Sequence, residues 1–254
     1  MIVAASPWRC DRADQVNSCA PCGALRPARE IEIPGGVGYH PDENGHPEME
    51  PITVWQDASV TVSAALVDHP PVAPAFGYRF DTWFGSVVVS GDTAPSRNLI
   101  RLARDADPLL HEVLDFAWVE QFHGAPGERS RRAQSVVDHH YRAHTSPRGA
   151  VEVAEAAGVR AVAFHHFVST RDAGYWRAQA GPTDMAVIIP ADGTGIRVPR
   201  ARCRGPYRGC DGRGGGRCGC RRCLPVAVLA SNRLVERLMS DPLLRSLTPD
   251  AQRV

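Results

Sequence analysis

The sequence contains no lysine, so all 29 of its basic residues are arginine. That is a mark of codon bias in a GC-rich genome before it is a mark of a nucleic-acid surface. The net charge is only +1, which by itself selects no acidic partner. The N-terminus, Met1–Pro7, lacks a basic stretch followed by an apolar run of about 7–15 residues, and is a poor signal peptide. No run approaches the ~20 apolar residues of a membrane span. These absences predict a soluble cytoplasmic protein with no membrane contact. Cysteine is missing from the whole interior of the chain: Cys10, Cys19 and Cys22 precede it, and Cys203, Cys210, Cys218, Cys220 and Cys223 follow it. In a cytosolic chain, clustered cysteines favour metal or free thiols over disulfides.

What is there is a globular sequence of 254 residues, 43% hydrophobic, enough for one sizeable core or two small ones. Residues 1–51 form an irregular segment rich in Pro, Gly and Cys, with one short strand expected at Glu30–Ile33. From Ile52 the pattern changes. Ile52–Trp55 and Ser59–Val67 read as a hairpin, and Phe76–Asp81 and Ser86–Ser90 as a second one joined through Thr82–Gly85. Pro95–Asp105 reads as a helix, with Thr93 and Ser96 as cap candidates. Pro108–Val113 is too brief an apolar run for a helix and reads as a buried strand. Residues 115–143 are polar and ambiguous. Ser146–Gly158 opens with Ser-Pro and stops at Gly, a helix signature, and Val159–Phe164 is a buried strand. Met185–Pro190 and Gly195–Val198 are expected to close the unit as a strand pair.

Reactive side chains sit where these strands end, the place in a layered α/β fold where loops carry them on a fixed frame. Ser90-Gly91-Asp92-Thr93 puts a carboxylate at the tip of a buried strand. Leu110-His111-Glu112, His144-Thr145-Ser146 and Val162-Ala163-Phe164-His165-His166-Phe167 follow in order. Together with Val67-Asp68-His69-Pro70-Pro71 leading into Phe76-Gly77-Tyr78-Arg79-Phe80, this series resembles the later motifs of the metallo-β-lactamase superfamily, in particular its ribonuclease Z-like branch. The resemblance covers roughly Val54–Val198.

It implies an α/β fold, the C-terminal half of an αββα sandwich, over a domain of residues 52–200. It implies a dinuclear metal site, with zinc the expected ion, manganese and iron not excluded, and phosphodiester or ester-type hydrolysis. Asp92 would be the carboxylate bridging two metals, His166 a terminal metal ligand, and His144 the proton donor to the leaving oxygen. Two metal ions would polarise the scissile group and activate water, while an imidazole protonates the departing oxygen. His165 competes with His166 for the ligand place, since alternation lets only one of them face the metals, and the register with an aromatic after the ligand favours His166. His69 and His111 read either as site residues or as hydrogen-bonded structural histidines, and Glu112 as a side chain that orients a neighbour.

The superfamily's early His-x-His-x-Asp-His element is absent, and two side chains cannot complete even one zinc coordination shell. The expected outcome is a truncated or degenerate hydrolase with an incomplete zinc site and little activity alone. The options are a fragment, a paralogue kept for binding, or a half-domain completed by another chain, including a homo-oligomer. The competing class is a non-catalytic binding or regulatory protein that contacts nucleic acid through its Arg-rich tail. Residues 201–225 are an Arg/Gly/Cys-rich linker that reads as a solvated tail or a phosphate-tracking one, and 226–254 a helical segment. Cys19-x2-Cys22 and Cys220-x2-Cys223 have zinc-ligand spacing, and read as a zinc site or as free thiols.

Overall fold

The computed structural model describes residues 30–196 and the backbone of 197 and 227–229. Four antiparallel strands come first: β1 (Ile52–Gln56), β2 (Val60–Leu66), β3 (Phe76–Thr82) and β4 (Gly85–Val89). From there the chain alternates helix and strand. It runs through α1 (Arg97–Ala103), β5 (Pro108–Glu112), α2 (Phe116–His123), α3 (Arg131–Ala143), α4 (Pro147–Ala157), β6 (Ala161–His165), α5 (Ala173–Ala180) and β7 (Ala186–Ile188). β4 to β7 pair in parallel, and the seven strands lie side by side in chain order. The architecture is α/β, as expected from the sequence.

Helices cover one face of the sheet. Val88, Leu109, Val162 and Phe164 from the strands meet Leu99 and Leu102 of α1, Val151 and Ala154 of α4, and Trp176 of α5. Full burial of one such side chain is worth about 1.5–3 kcal/mol, so this face is the main source of stability. α1 lies so close that a Cβ on Gly77 would stand 3.2 Å from both Leu102 Cδ2 and Ser90 O. Two residues on, Arg79 donates to the Leu102 and Arg104 carbonyls at the end of that helix, where a cation also opposes the helix dipole. These two contacts give the Gly77-Tyr78-Arg79 motif a physical reason.

The opposite face is covered differently along its width. Over β1–β4, Ile31, Ile33, Val37, Tyr39 and Met49 pack on Ala64, Leu66 and Phe76. Asn98 anchors this segment, donating to Pro47 O and Leu66 O and accepting from Met49 N. Over β4–β6, Ile196 packs with Val87, Leu110 and Ala163. Ile196 lies in β8 (Gly195–Arg197), which pairs antiparallel with β9 (Ala227–Leu229).

Several expectations are corrected here. Glu30–Ile33 is not a strand, and the described part of that segment holds one short helical turn, Gly35–Val37. The expected closing strand pair does not form, because β7 joins the main sheet on β6 while β8 leaves to pair with β9. Residues 227–229, expected in a helix, are a strand. Residues 115–143 hold two helices, α2 capped by Asp115 and α3 by Ser130. α2 buries only Val119, and α3 only Val137 and Ala143, which is why no apolar stripe betrayed them. α5, capped by Asp172, buries only Trp176 and Ala180 and left equally little trace. The Cys pairs, the Arg-rich stretch and the rest of 226–254 lie outside the described residues.

Candidate metal centre

β2 and β4 both run antiparallel to β3, and β5 and β6 run parallel to β4. The carboxyl ends of β2, β4, β5 and β6 therefore share one edge of the sheet. Asp68 and His69 follow β2, Asp92 follows β4, Glu112 ends β5, and His165 and His166 end or follow β6. His144 arrives from the side as the C-cap of α3.

Backbone geometry aims these groups. Gly91 has φ +65, and a Cβ there would stand 2.7 Å from Phe76 O, so glycine alone permits the turn that presents Asp92. His166 also has a left-handed φ, +58, uncommon for a residue with a Cβ. The turn brings His166 Nδ1 to 3.5 Å from Asp92 Oδ1. Thr93 stitches the loops together. Its Oγ1 accepts from Asp68 N, its carbonyl accepts from Thr145 Oγ1, and its N–H donates to Glu112.

Glu112 is fully buried and central. Its Oε1 accepts from Thr93 N at 3.2 Å and Thr145 N at 3.1 Å, and lies 3.1 Å from His144 Nδ1. Since two amide donors already point at Oε1, that oxygen is an acceptor, and the proton of the third contact belongs to His144 Nδ1. The His144 lone pair is then on Nε2. Burial pushes the Glu112 carboxyl up to about 8, and Asp92 adds to this, while the two amides and His166 oppose it. Burial also depresses His144, with Asp92 opposing. Both shifts favour the uncharged form of each partner.

One ligand atom from each of Glu112, His144 and His166 can be brought within 4.8 Å of the others. Glu112 Oε2 and His166 Nδ1 are buried with no hydrogen-bond partner. Orphaned buried polar atoms facing each other, beside the Asp92 carboxylate, are what a divalent cation would satisfy, and an N/O donor set suits zinc or another borderline ion.

Of the residues singled out in the sequence, Asp92, Glu112, His144 and His166 come together. His69 joins them from one side: its ring meets His144 edge-on at 5.0 Å, and its Nδ1 lies 3.0 Å from Ala143 O. His111 does not join them. It is fully buried, with Nδ1 on the Glu112 carbonyl, and burial pushes it down to about 4. His165 is partly buried, 3.5 Å from Ser90 Oγ, and desolvation pushes it down to about 4 as well.

Three features went unread in the sequence. His46 pairs with Asp68 at 2.9 Å, a contact no local spacing announces. Asp115 caps α2 and accepts from Tyr175 Oη, Ser169 Oγ and Arg171 Nε, fastening the loop after His166 to α2. His139 and His140 lie beside His144, with ring centroids 6.0 and 5.5 Å from it. Recognising α3 as a helix would have placed His140 and His144 on one face.

In sequence the chain is similar to proteins named Ribonuclease Z, over part of their length. The chain is 36% identical over 152 residues to a protein named Ribonuclease Z from Mycobacterium sp. strain KMS, matching 57% of this chain and 50% of the relative. It is 32% identical over 188 residues to another of that name from Mycolicibacterium gilvum, matching 70% of this chain and 62% of the relative. The chain thus spans between half and two thirds of the length of these relatives. No family model matches it. Among solved structures, human tRNase Z short form aligns with TM-score 0.41 at 18% identity, covering 59% of this chain and 46% of that one. YhfI from Bacillus subtilis, titled a metallo-beta-lactamase fold protein, aligns at 0.39 and 17%, covering 56% and 50%.

Proposed function

We propose that this chain carries the later half of a zinc-dependent phosphodiesterase site, in a cytoplasmic hydrolase whose substrate is RNA or a related phosphodiester. The observation that carries the proposal is the buried carboxylate Glu112, fixed by two amides and His144, facing His166 and Asp92 at one sheet edge. The relatives named Ribonuclease Z support the substrate class.

Asp92, His166 and Glu112 would hold the cation. Bound there, it supplies Lewis-acid polarisation of the scissile phosphoryl group. His144 moves the proton. With Nδ1–H anchored on Glu112, its Nε2 takes a proton from the attacking water and returns it to the leaving oxygen, and the Glu112 carboxylate stabilises the transient imidazolium. The other metal ligands of the resemblance have no counterpart among the described residues, so we expect hydrolysis by this chain alone to be weak. Ligands from outside the described residues would complete the site.

The test uses the full chain with Zn(II) and two phosphodiesters, one with a p-nitrophenolate and one with an alkoxide leaving group. Any turnover should vanish in Asp92→Ala. His144→Ala should slow both substrates, and the alkoxide one by about 100-fold or more beyond the nitrophenolate, whose departure needs no proton. Turnover that survives Asp92→Ala would sink the proposal. So would a His144→Ala effect equal for both leaving groups. The competing reading, a binding protein, predicts salt-dependent RNA binding with no turnover.

A further inference from the structure

A second set of imidazoles lies next to the centre described above. His139, His140 and His144 offer ring nitrogens all within 4.8 Å of one another. His140 and His144 are one helical turn apart, the spacing that puts two ligands on one face of a helix. Hydrogen bonds fix the tautomers. His139 Nδ1 lies 3.1 Å from Pro70 O, and a carbonyl can only accept, so the His139 proton is on Nδ1 and its lone pair on Nε2. His144 is fixed the same way by Glu112 Oε1. His140 Nδ1 is buried and has no partner.

Two imidazoles thus donate one nitrogen to an oxygen acceptor and keep a bare lone pair on the other. This is the arrangement that sets the ring orientation and raises the basicity of a metal-ligating histidine. The third has a buried Nδ1 with no hydrogen-bond partner, which in the tautomer protonated on Nε2 presents a bare lone pair to a cation. Among the described residues, the groups acting on His140 are the imidazoles of His123, His139, His144 and His166, while the acidic side chains Glu112 and Asp92 act on His144, Glu112 through its far nitrogen.

We propose that His139, His140 and His144 form an all-histidine site for one transition-metal ion of the zinc, cobalt or copper class, with water completing its shell. The site is built from α3 alone, within this chain, and does not depend on whether the chain hydrolyses anything. It shares His144 with the hydrolytic centre. An ion there takes the Nε2 lone pair that proton transfer needs, so occupancy and proton transfer exclude each other.

The test titrates the full chain, with its eight cysteines alkylated, with Co(II) and reads the visible d–d bands. His139→Gln/His140→Gln should remove one bound equivalent, and Asp92→Asn/His166→Gln should retain it. Glu112→Gln, which keeps an acceptor near His144 but not a carboxylate, should weaken this equivalent by about 10-fold or more. Unchanged binding in His139→Gln/His140→Gln would overturn the proposal, as would loss of the same equivalent in Asp92→Asn/His166→Gln. If the double variant does not fold by circular dichroism, His140→Gln alone must weaken binding by at least about 10-fold, and failure to do so overturns the proposal equally.

Discussion

Glu112 ties three donors to one oxygen in a dry setting. Glu112→Ala strands two amides and an imidazole, and should cost about 3 kcal/mol or more in chemical denaturation. Glu112→Gln resembles the protonated acid and should cost far less. The same residue sets an alkaline limit. Its folded value of about 8 stands above its ordinary 4.5, so its favourable contribution is whole below pH 4.5 and is lost as pH rises through about 8. The imidazoles of buried His111 and partly buried His165 act in the opposite sense. Depressed to about 4, they remove stability as pH falls from 6.5 toward 4. Fully buried His111 alone should contribute a slope of up to about 1.4 kcal/mol per pH unit. Melting temperature of the metal-free protein should therefore peak near pH 6.5, with the alkaline decline flattened in Glu112→Gln. A wild-type decline identical to that of Glu112→Gln would refute this account. At this scale the sequence was informative for Asp92, Glu112, His144 and His166, because each ends a strand or opens a helix in a recognisable string. His46 and Asp115 stayed hidden because their partners are distant in sequence, and His139 and His140 because the helix that carries them went unread.

Among the elements, the loop after β4 is the most constrained. Gly91→Ala would put a methyl 2.7 Å from Phe76 O and hold a left-handed φ with a side chain. The expected cost is about 2 kcal/mol or more, together with displacement of Asp92 and loss of Co(II) affinity at the Asp92–His166 centre but not at α3. Equal stability and metal content in the variant would show that the turn tolerates a Cβ. Elements with strong local signals were read correctly. α4 announced itself through Ser146, which accepts from Gly149 N, through Pro147 in the first turn, and through left-handed Gly158 at its end. β2 and β3 showed as hairpin arms, and β5 as a short apolar run. α2, α3 and α5 did not, because each buries so few side chains that periodicity had nothing to record. β8 and β9 pair across about thirty positions of sequence, beyond any local rule.

Over the whole molecule, stability is concentrated on the helix-covered face of the sheet. Leu109 is fully buried there, and Leu109→Ala should cost about 2–5 kcal/mol. Trp83, at the tip of the β3–β4 hairpin, is 78% exposed, and Trp83→Ala should change stability by no more than about 0.5 kcal/mol despite its size. Denaturant titration of the pair checks the ranking. The seven-stranded order was only partly legible. Two hairpins followed by helix–strand units predict antiparallel then parallel pairing, but nothing local in the chain told β7 to continue the sheet rather than pair with the next strand.

That the seven strands lie side by side in chain order bears on how the protein is born. During synthesis each strand of the sheet emerges after the neighbour on which it pairs, so the sheet can grow from one edge to the other in the order of synthesis. The cation-facing groups appear in the same sequence, His69, Asp92, Glu112, His144 and then His166. His166 follows the sixth strand, so a metal ion arrives at a frame the sheet has already built and cannot act as its template.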